Sequence, residues 1–341
     1  MKAVSLPKPG SVEIIDVPEP APGPEEVLVQ VCYVGLCGTD LNSYRGLSPL
    51  MTYPRVVGHE ISGVVLDRGA AVPGHIQPGA RVMLEPNKNC GRCASCRAGR
   101  PNACEWNQTF GVQRDGALAS LVAAHYSKVF ESRSLSLQEL ALAEPLAIGY
   151  HAANRGRICE TDTVLVIGCG AVGLGVVAAA SRKGARVIAL DIDARRLVLP
   201  CKLGASWVIL SSREDVDARM KELTHDGLAT VTVEAVGKPE TYEMALRFAG
   251  YCGRVVCVGY ASQPASWDTK YIVKKELDIM GSRNSLRVCA PVIEMMERRD
   301  RPWAEMIGQV RPLEDAPAVF AEWDRDPQRH VKTLIRVHGG E

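Results

Sequence analysis

Four cysteines, Cys90, Cys93, Cys96 and Cys104, fall within the short glycine-studded segment CGRCASCRAGRPNAC. Two CxxC steps and a longer return let one compact loop supply four thiolates, the tetrahedral cage that structural zinc prefers at metal–sulfur distances of about 2.3 Å. At these spacings a metal cage outranks a disulfide or a set of inert thiols. Upstream lies a second group of ligand types, Cys37 in GLCGTD and the adjacent pair His59 and Glu60 in VVGHEISG. Cys37 alone would read as a core cysteine and His59 alone as a satisfied histidine. In combination, in segments bent by glycine, they form the mixed thiolate, imidazole and carboxylate set that a catalytic zinc with an open position uses. Two zinc ions per chain are therefore expected, one structural and one catalytic.

Beyond both sets comes GCGAVG, Gly168 to Gly173. A lone GxGxxG is weak, but this one follows the apolar run TVLVI and opens the helix-like run AVGLGVVAAASRKG, the context that validates a dinucleotide fingerprint. Gly168, Gly170 and Gly173 then serve a tight turn and close approach to a pyrophosphate resting on the helix N-terminus. Val172 is expected beneath the nicotinamide side. Asp191 ends the next apolar run, RVIALD, roughly 20 residues on, where an acid binds ribose hydroxyls and repels a 2′-phosphate. That favours NAD over NADP, although Arg195 and Arg196 follow closely and would suit such a phosphate. Val258 and Gly281, at the ends of later apolar runs, complete the expected cofactor contacts. Two metal sets followed by this fingerprint point to metal-assisted hydride transfer.

The composition excludes other classes. A formal net charge of +1 and a pI near 7.5 give no basic face for nucleic acid. The charges of the cysteine segment, mainly Lys88, Arg92, Arg97 and Arg100, are modest, so a zinc-ribbon nucleic-acid binder ranks last. Of twelve cysteines, the seven outside the two ligand sets are scattered through apolar stretches with no regular spacing, which argues for a reducing compartment. No apolar leader opens the chain and no run reaches the roughly 18 apolar residues of a membrane span. A cytoplasmic protein is expected, with no membrane and no nucleic-acid partner.

The elements that must position these groups read as two textures. The first part alternates β-formers with Pro and Gly punctuation, as in SVEIIDVPEPAPGPEEVLVQVCYVG, and predicts a partly open β-barrel with irregular loops. From about Arg157, strand, glycine turn and helix alternate, predicting a doubly wound parallel sheet with strands at 164–167, 187–190, 207–210, 231–235, 255–258 and 277–280. HVKTLIRV, near the C-terminus, is expected to return to the first domain. The expected division is an α/β protein with residues 1–152 and 282–341 in the catalytic domain, a zinc lobe at 88–105, and residues 153–281 in the dinucleotide-binding domain.

GHE, the four-cysteine lobe, EPLAIGYHA (144–152) and GxGxxG occur in an order and spacing that resemble the zinc-dependent medium-chain dehydrogenase/reductase superfamily over essentially the whole chain. The branch it resembles is that of the polyol dehydrogenases, which includes sorbitol, threonine and sugar-acid 5-dehydrogenases. The resemblance implies a GroES-like catalytic domain, with Cys37 and His59 on the catalytic zinc and Glu60 and Glu144 as alternative carboxylate or water-mediated ligands. It also implies that Thr39 hydrogen-bonds the substrate hydroxyl. Many members carry a histidine where this chain has Asn42, and an amide cannot titrate near neutral pH. The proton then leaves through the cofactor ribose and water, or through Asp40 or Glu60; for Asp40 the plainer reading, that it only holds the loop, is at least as open. Arg283 in GSRN is the leading substrate residue, its planar guanidinium suiting a sugar-acid carboxylate, with an ion-pair role equally open; Tyr44 and Arg45 are lesser pocket residues. The implied reaction is oxidation of a secondary hydroxyl of a polyol or sugar acid by NAD, in a homodimer or homotetramer. A threonine-type amino-alcohol dehydrogenase and a non-catalytic relative of the fold are the alternatives.

Overall fold

In the computed structural model, residues 1–339 are described. They form two compact units, Met1–Glu144 with Cys289–Glu341, and Pro145–Val288.

The first unit is built on a seven-stranded sheet. Its central strand, Glu26–Gly35, is flanked by Glu60–Arg68 and Lys332–Arg336 and also pairs with Leu121–His125. Arg81–Leu84 and Val129–Glu131 continue it on one side and Ile307–Pro312 on the other. The alternation of the central strand turns Val27, Val29 and Val31 inward, where they join Ile61, Leu84, Leu118 and Phe320 in one apolar core; period-two patterning directs one face of a strand to such a core. The C-terminal strand does return to this sheet, antiparallel to the central strand, with Leu334 opposite Gly35. A three-stranded sheet of Glu13–Asp16, Lys2–Leu6 and Arg55–Val56 lies beside it.

The second unit is a six-stranded, wholly parallel sheet. Its spatial order is Trp207–Leu210, Arg186–Asp191, Thr163–Ile167, Ala229–Glu234, Ala249–Cys257 and Asp278–Gly281. In chain order this is 3-2-1-4-5-6, the dinucleotide-binding arrangement. Every residue of Thr163–Ile167 is buried, as expected for a strand covered on both faces. The fifth strand begins earlier than the predicted 255 because Ala249 already pairs with Ala229, across a register shift before Val231.

The division between units falls after Glu144 and after Val288, not after residues 152 and 281 as the sequence suggested. Helix Ala143–Arg155 is the reason at the first boundary. A Cβ at Gly149 would lie 2.4 Å from the Val172 carbonyl oxygen, and one at Gly175 would lie 3.0 Å from the Leu146 Cα. From Pro145 onward the helix is thus packed backbone to backbone on Ala171–Arg182. At the second boundary the Ser282 N–H donates to the Cys257 carbonyl (2.9 Å) and Arg283 Nη1 to the Tyr260 hydroxyl (3.0 Å), which keeps GSRN with the parallel sheet.

Candidate metal and cofactor sites

Cys37 caps the short helix Gly38–Tyr44 directly after the central strand. Glu60 opens the neighbouring strand, with His59 just before it, behind Gly58, whose φ of +100° and close contact with the Leu118 N–H suit only glycine. One ligand atom from each of Cys37, His59 and Glu60 lies within 4.8 Å of the others. His59 and Glu60 are buried. Asp40 Oδ1, His59 Nδ1 and Glu60 Oε2 are shielded from solvent without a hydrogen-bond partner among the described residues, a costly arrangement unless another group occupies the site. Burial opposes charging His59, but the Asp40 carboxylate and the Cys37 sulfur outweigh it and raise its pKa well above the ordinary imidazole value. A field that favours a proton there also favours a metal cation.

Asp40 was open as a proton acceptor or as a brace of the loop, and its contacts favour the brace. It is buried; Oδ2 accepts the Cys37 N–H at 2.9 Å and Oδ1 lies 3.6 Å from His59 Nδ1. Both of its oxygens are thus turned toward Cys37 and His59. Thr39 is half-buried with Oγ1 3.8 Å from Cys37 Sγ. Asn42 is exposed. Glu144 is buried at the start of its helix and stands outside the three-residue set. Burial pushes its pKa up to about 7; His59 and Lys332 oppose the shift, while Glu60 and Glu85 add to it.

Tyr44 and Arg45 are both in contact with another helix. The Tyr44 ring packs on Phe320 at 5.7 Å between centroids. Arg45 donates from Nε to Asp324 Oδ1 at 2.5 Å and from Nη2 to the Asp324 carbonyl at 3.0 Å. Both fasten the Cys37 helix to Ala316–Arg325. The sequence placed them near Cys37 but gave no sign of the distant helix that takes them up.

In the lobe, the sulfurs of Cys90, Cys93, Cys96 and Cys104 form a second set within 4.8 Å. The Cys93 N–H points at Cys90 Sγ and the Cys90 N–H at Cys104 Sγ, both at 3.3 Å. The Ser95 hydroxyl, with the N–H groups of Cys96 and Glu105, lowers the Cys93 pKa to about 5; burial and its thiol neighbours raise that of Cys96 to about 12. Donors converging on sulfur are what a thiolate cage needs. The neck is closed by the paired strands Asn87–Lys88 and Gln108–Thr109, where Asn107 Nδ2 donates to Asn87 Oδ1 (3.1 Å) and Thr109 Oγ1 (2.9 Å).

In the second unit, the expected cofactor residues gather at the C-terminal ends of the parallel strands, where such sheets bind ligands. Gly168 turns with φ of +95°. A Cβ on Gly173 would lie 1.8 Å from the Gly168 carbonyl oxygen, so only glycine allows this helix-to-strand approach. Gly170 caps helix Ala171–Arg182 with open space above its Cα, the cradle that a pyrophosphate fills. Asp191 ends its strand; Oδ2 accepts the Cys169 N–H (2.8 Å) and Oδ1 the Asp193 N–H (3.0 Å). Arg195 is held by Asp193, and Arg196 is buried. Val172 is half-buried on the first turn of the helix, and Val258 and Gly281 close the fifth and sixth strands, the Val258 N–H donating to the Glu234 carbonyl at 2.9 Å. Arg283 belongs to this unit, bonded to Tyr260.

Sequence reasoning missed Lys332. Its Nζ lies 2.6 Å from Glu60 Oε1 and 2.9 Å from the Leu36 carbonyl oxygen, with both side chains buried. The available signal was weak, a lysine at the head of the short strand KTLIR; burial gives it meaning, since lysine is almost never fully buried unless paired.

Residues 23–134 match the alcohol dehydrogenase GroES-like domain family and residues 171–298 the zinc-binding dehydrogenase family. An L-galactonate-5-dehydrogenase of Escherichia coli (strain K12) is 33% identical, over 78% of this chain and 78% of its own length. Among solved structures, an alcohol dehydrogenase from E. coli CFT073 complexed with NADH superposes with a TM-score of 0.91 at 28% identity, over 99% of both chains. A dehydrogenase from Sinorhizobium meliloti 1021 bound to NADP does so with 0.91 at 32% identity, over 98% of this chain and 99% of its own. With its GroES-like barrel, its parallel dinucleotide-binding sheet and its two ligand sets, the chain belongs to the zinc-dependent medium-chain dehydrogenase/reductase superfamily, in the polyol dehydrogenase branch.

Proposed function

We propose that this protein oxidises a secondary hydroxyl of a polyol, sugar or sugar acid to a ketone with NAD as hydride acceptor, using one catalytic and one structural zinc per chain. The observation that carries the reading is the buried convergence of Cys37, His59 and Glu60, with the Thr39 hydroxyl beside Cys37. Those three residues, with Glu144 as an alternative carboxylate, would hold the catalytic metal, and the four lobe cysteines the structural one. Zinc supplies Lewis acidity toward a substrate hydroxyl, and the nicotinamide supplies the hydride acceptor. Thr39 orients the hydroxyl and takes its hydrogen bond. Asp40 keeps Cys37 and His59 in place. The exposed Asn42 amide holds no titrating proton, so the proton leaves through water, Glu60 or the cofactor ribose.

Gly168, Gly170 and Gly173 seat the pyrophosphate, and Val172, Val258 and Gly281 flank the nicotinamide end. NAD is favoured because Asp191 ends its strand as a carboxylate, which repels a 2′-phosphate; Arg196, buried next to it, serves the acid more than the solvent. Arg283 is proposed for substrate recognition. The twelve cysteines, none in a disulfide, support a reducing, cytoplasmic setting. No helix among the described residues is long and apolar enough to cross a membrane. The parallel sheet ends on Asp278–Gly281, paired on one side only, which supports sheet extension between copies in a homodimer or homotetramer.

The test is an initial-rate screen with NAD and then NADP against sorbitol, xylitol, galactitol, L-threonine, L-galactonate and L-gulonate, with and without added zinc. Zinc-dependent reduction of NAD by a polyol or sugar acid is expected. Turnover of L-threonine alone would move the protein to the amino-alcohol class, and silence together with failure to bind NAD would make it a non-catalytic relative.

A further inference from the structure

Three adjacent strands meet beside the candidate catalytic metal set. Gly35 sits on the middle strand, opposite Glu60 on one side and Leu334 on the other. Continuing that register places Lys332 abreast of Cys37. A Cβ on Gly35 would lie 2.0 Å from Glu60 Oε2, so the bare glycine gives the carboxylate room to lie across the middle strand. There Lys332 meets it: Nζ is 2.6 Å from Glu60 Oε1 and 2.9 Å from the Leu36 carbonyl oxygen. Glu60 Oε2 has no hydrogen-bond partner among the described residues. One carboxylate oxygen is thus committed to an ammonium and the other is left to the site.

A buried ammonium on a metal-binding carboxylate does two things. It withdraws electron density and charge from a donor that would otherwise serve the metal alone, and it adds a positive charge close to where a dication must sit, in surroundings that screen charge poorly. Both weaken the hold of the set on its metal and leave the metal a stronger acid.

We propose that Lys332 is a positioning residue that competes with the catalytic metal for Glu60, so that the C-terminal strand, which supplies no ligand, sets how tightly the Cys37, His59 and Glu60 set holds zinc. This rests on the reading of that set as a zinc site.

The experiment compares the full-length wild type with Lys332→Met and Lys332→Arg. Each is loaded with two equivalents of zinc and titrated with a chelator, then loaded with cobalt(II) to record the visible absorption of the non-thiolate-cage site. Lys332→Met is expected to need at least tenfold more chelator to release the second equivalent and to shift the cobalt band; Lys332→Arg, which keeps the charge, is expected to stay near wild type. A lysine that only packs would, when removed, loosen the site. An equal or lower chelator midpoint with an unchanged cobalt band therefore overturns the proposal. If Lys332→Met does not fold, Lys332→Gln, which keeps a donor for the Leu36 carbonyl and removes the charge, is held to the same two outcomes. Wild type that takes up only one equivalent, all of it lost in Cys93→Ser, would sink the zinc-site reading itself and the proposal with it, a result distinct from failure of the lysine alone.

Discussion

The carboxylate of Asp40 spans two members of the metal set, accepting the Cys37 N–H at 2.9 Å through one oxygen and lying 3.6 Å from His59 Nδ1 through the other. A group of this kind orients ligands and tunes their basicity, and its loss generally costs about 10–100-fold in metal affinity. Asp40→Asn keeps the shape and removes the charge. It is expected to lower zinc affinity at the non-cage site by about that factor, read as a lower chelator midpoint, with the lobe zinc retained. An unchanged midpoint would reduce Asp40 to a loop brace.

The lobe offers a separate test. Cys93 is buried, and its sulfur is drawn toward thiolate by Ser95 and two N–H groups. Cys93→Ser should retain one zinc of two by metal analysis. Loss of a structural metal belongs among the large destabilisations; at about 3 kcal/mol the fall in Tm of a chain this long would be about 4 °C. A variant that keeps both zincs would contradict the cage.

Asp191 is predicted to discriminate between cofactors. Asp191→Gly removes the acid expected on the ribose and should weaken NAD much more than NADP, measured as dissociation constants by fluorescence titration. Since the same carboxylate accepts the Cys169 N–H in the glycine turn, some loss for NADP is expected as well. Equal loss for both would mean that Asp191 supports the turn and does not read the ribose.

A pH dependence follows from Asp162. Burial pushes its pKa up, but hydrogen bonds from the Thr230 hydroxyl (2.7 Å) and the Cys159 N–H (2.9 Å), together with Arg254, outweigh burial and leave it below the ordinary carboxylate value. A carboxyl depressed on folding contributes stability that is present above its unfolded pKa, about 3.9, and is lost as pH falls through the folded value. Asp162→Asn is therefore expected to cost about 1–3 kcal/mol at pH 7, as for a truncated charged hydrogen bond, with a narrower gap from wild type at pH 3 than at pH 7. Denaturant melts at the two pH values check this; an undiminished gap at low pH would assign the loss to packing.

Much of this was legible in the chain because the signals are local. The CxxC spacing fixes a four-thiol loop before any tertiary contact forms. An apolar strand, a glycine turn and a small-residue helix in succession specify a dinucleotide-binding unit, since Gly168 must turn with positive φ and Gly173 must admit the backbone. His59 and Glu60 were legible as ligand types, and the parallel doubly wound sheet follows from the alternation of its strands with helices.

What the sequence could not contain was which distant element meets each side chain. Tyr44 and Arg45 looked like pocket residues until Phe320 and Asp324 were found against them. Asp40 read equally as a proton acceptor or a loop brace, and only the fold turned both of its oxygens to Cys37 and His59. Helix Ala143–Arg155 changes unit after Glu144 because Gly149 and Gly175 let two helices touch, a contact between residues without side chains that no hydropathy pattern records. Lys332 lies 272 positions from Glu60 and reaches it only because the C-terminal strand docks beside a glycine of the central strand. Spacing and residue type determined which groups could do the chemistry; long-range strand pairing decided which of them share a site and which charges bear on them, because burial and Coulomb interaction act through space and not along the chain.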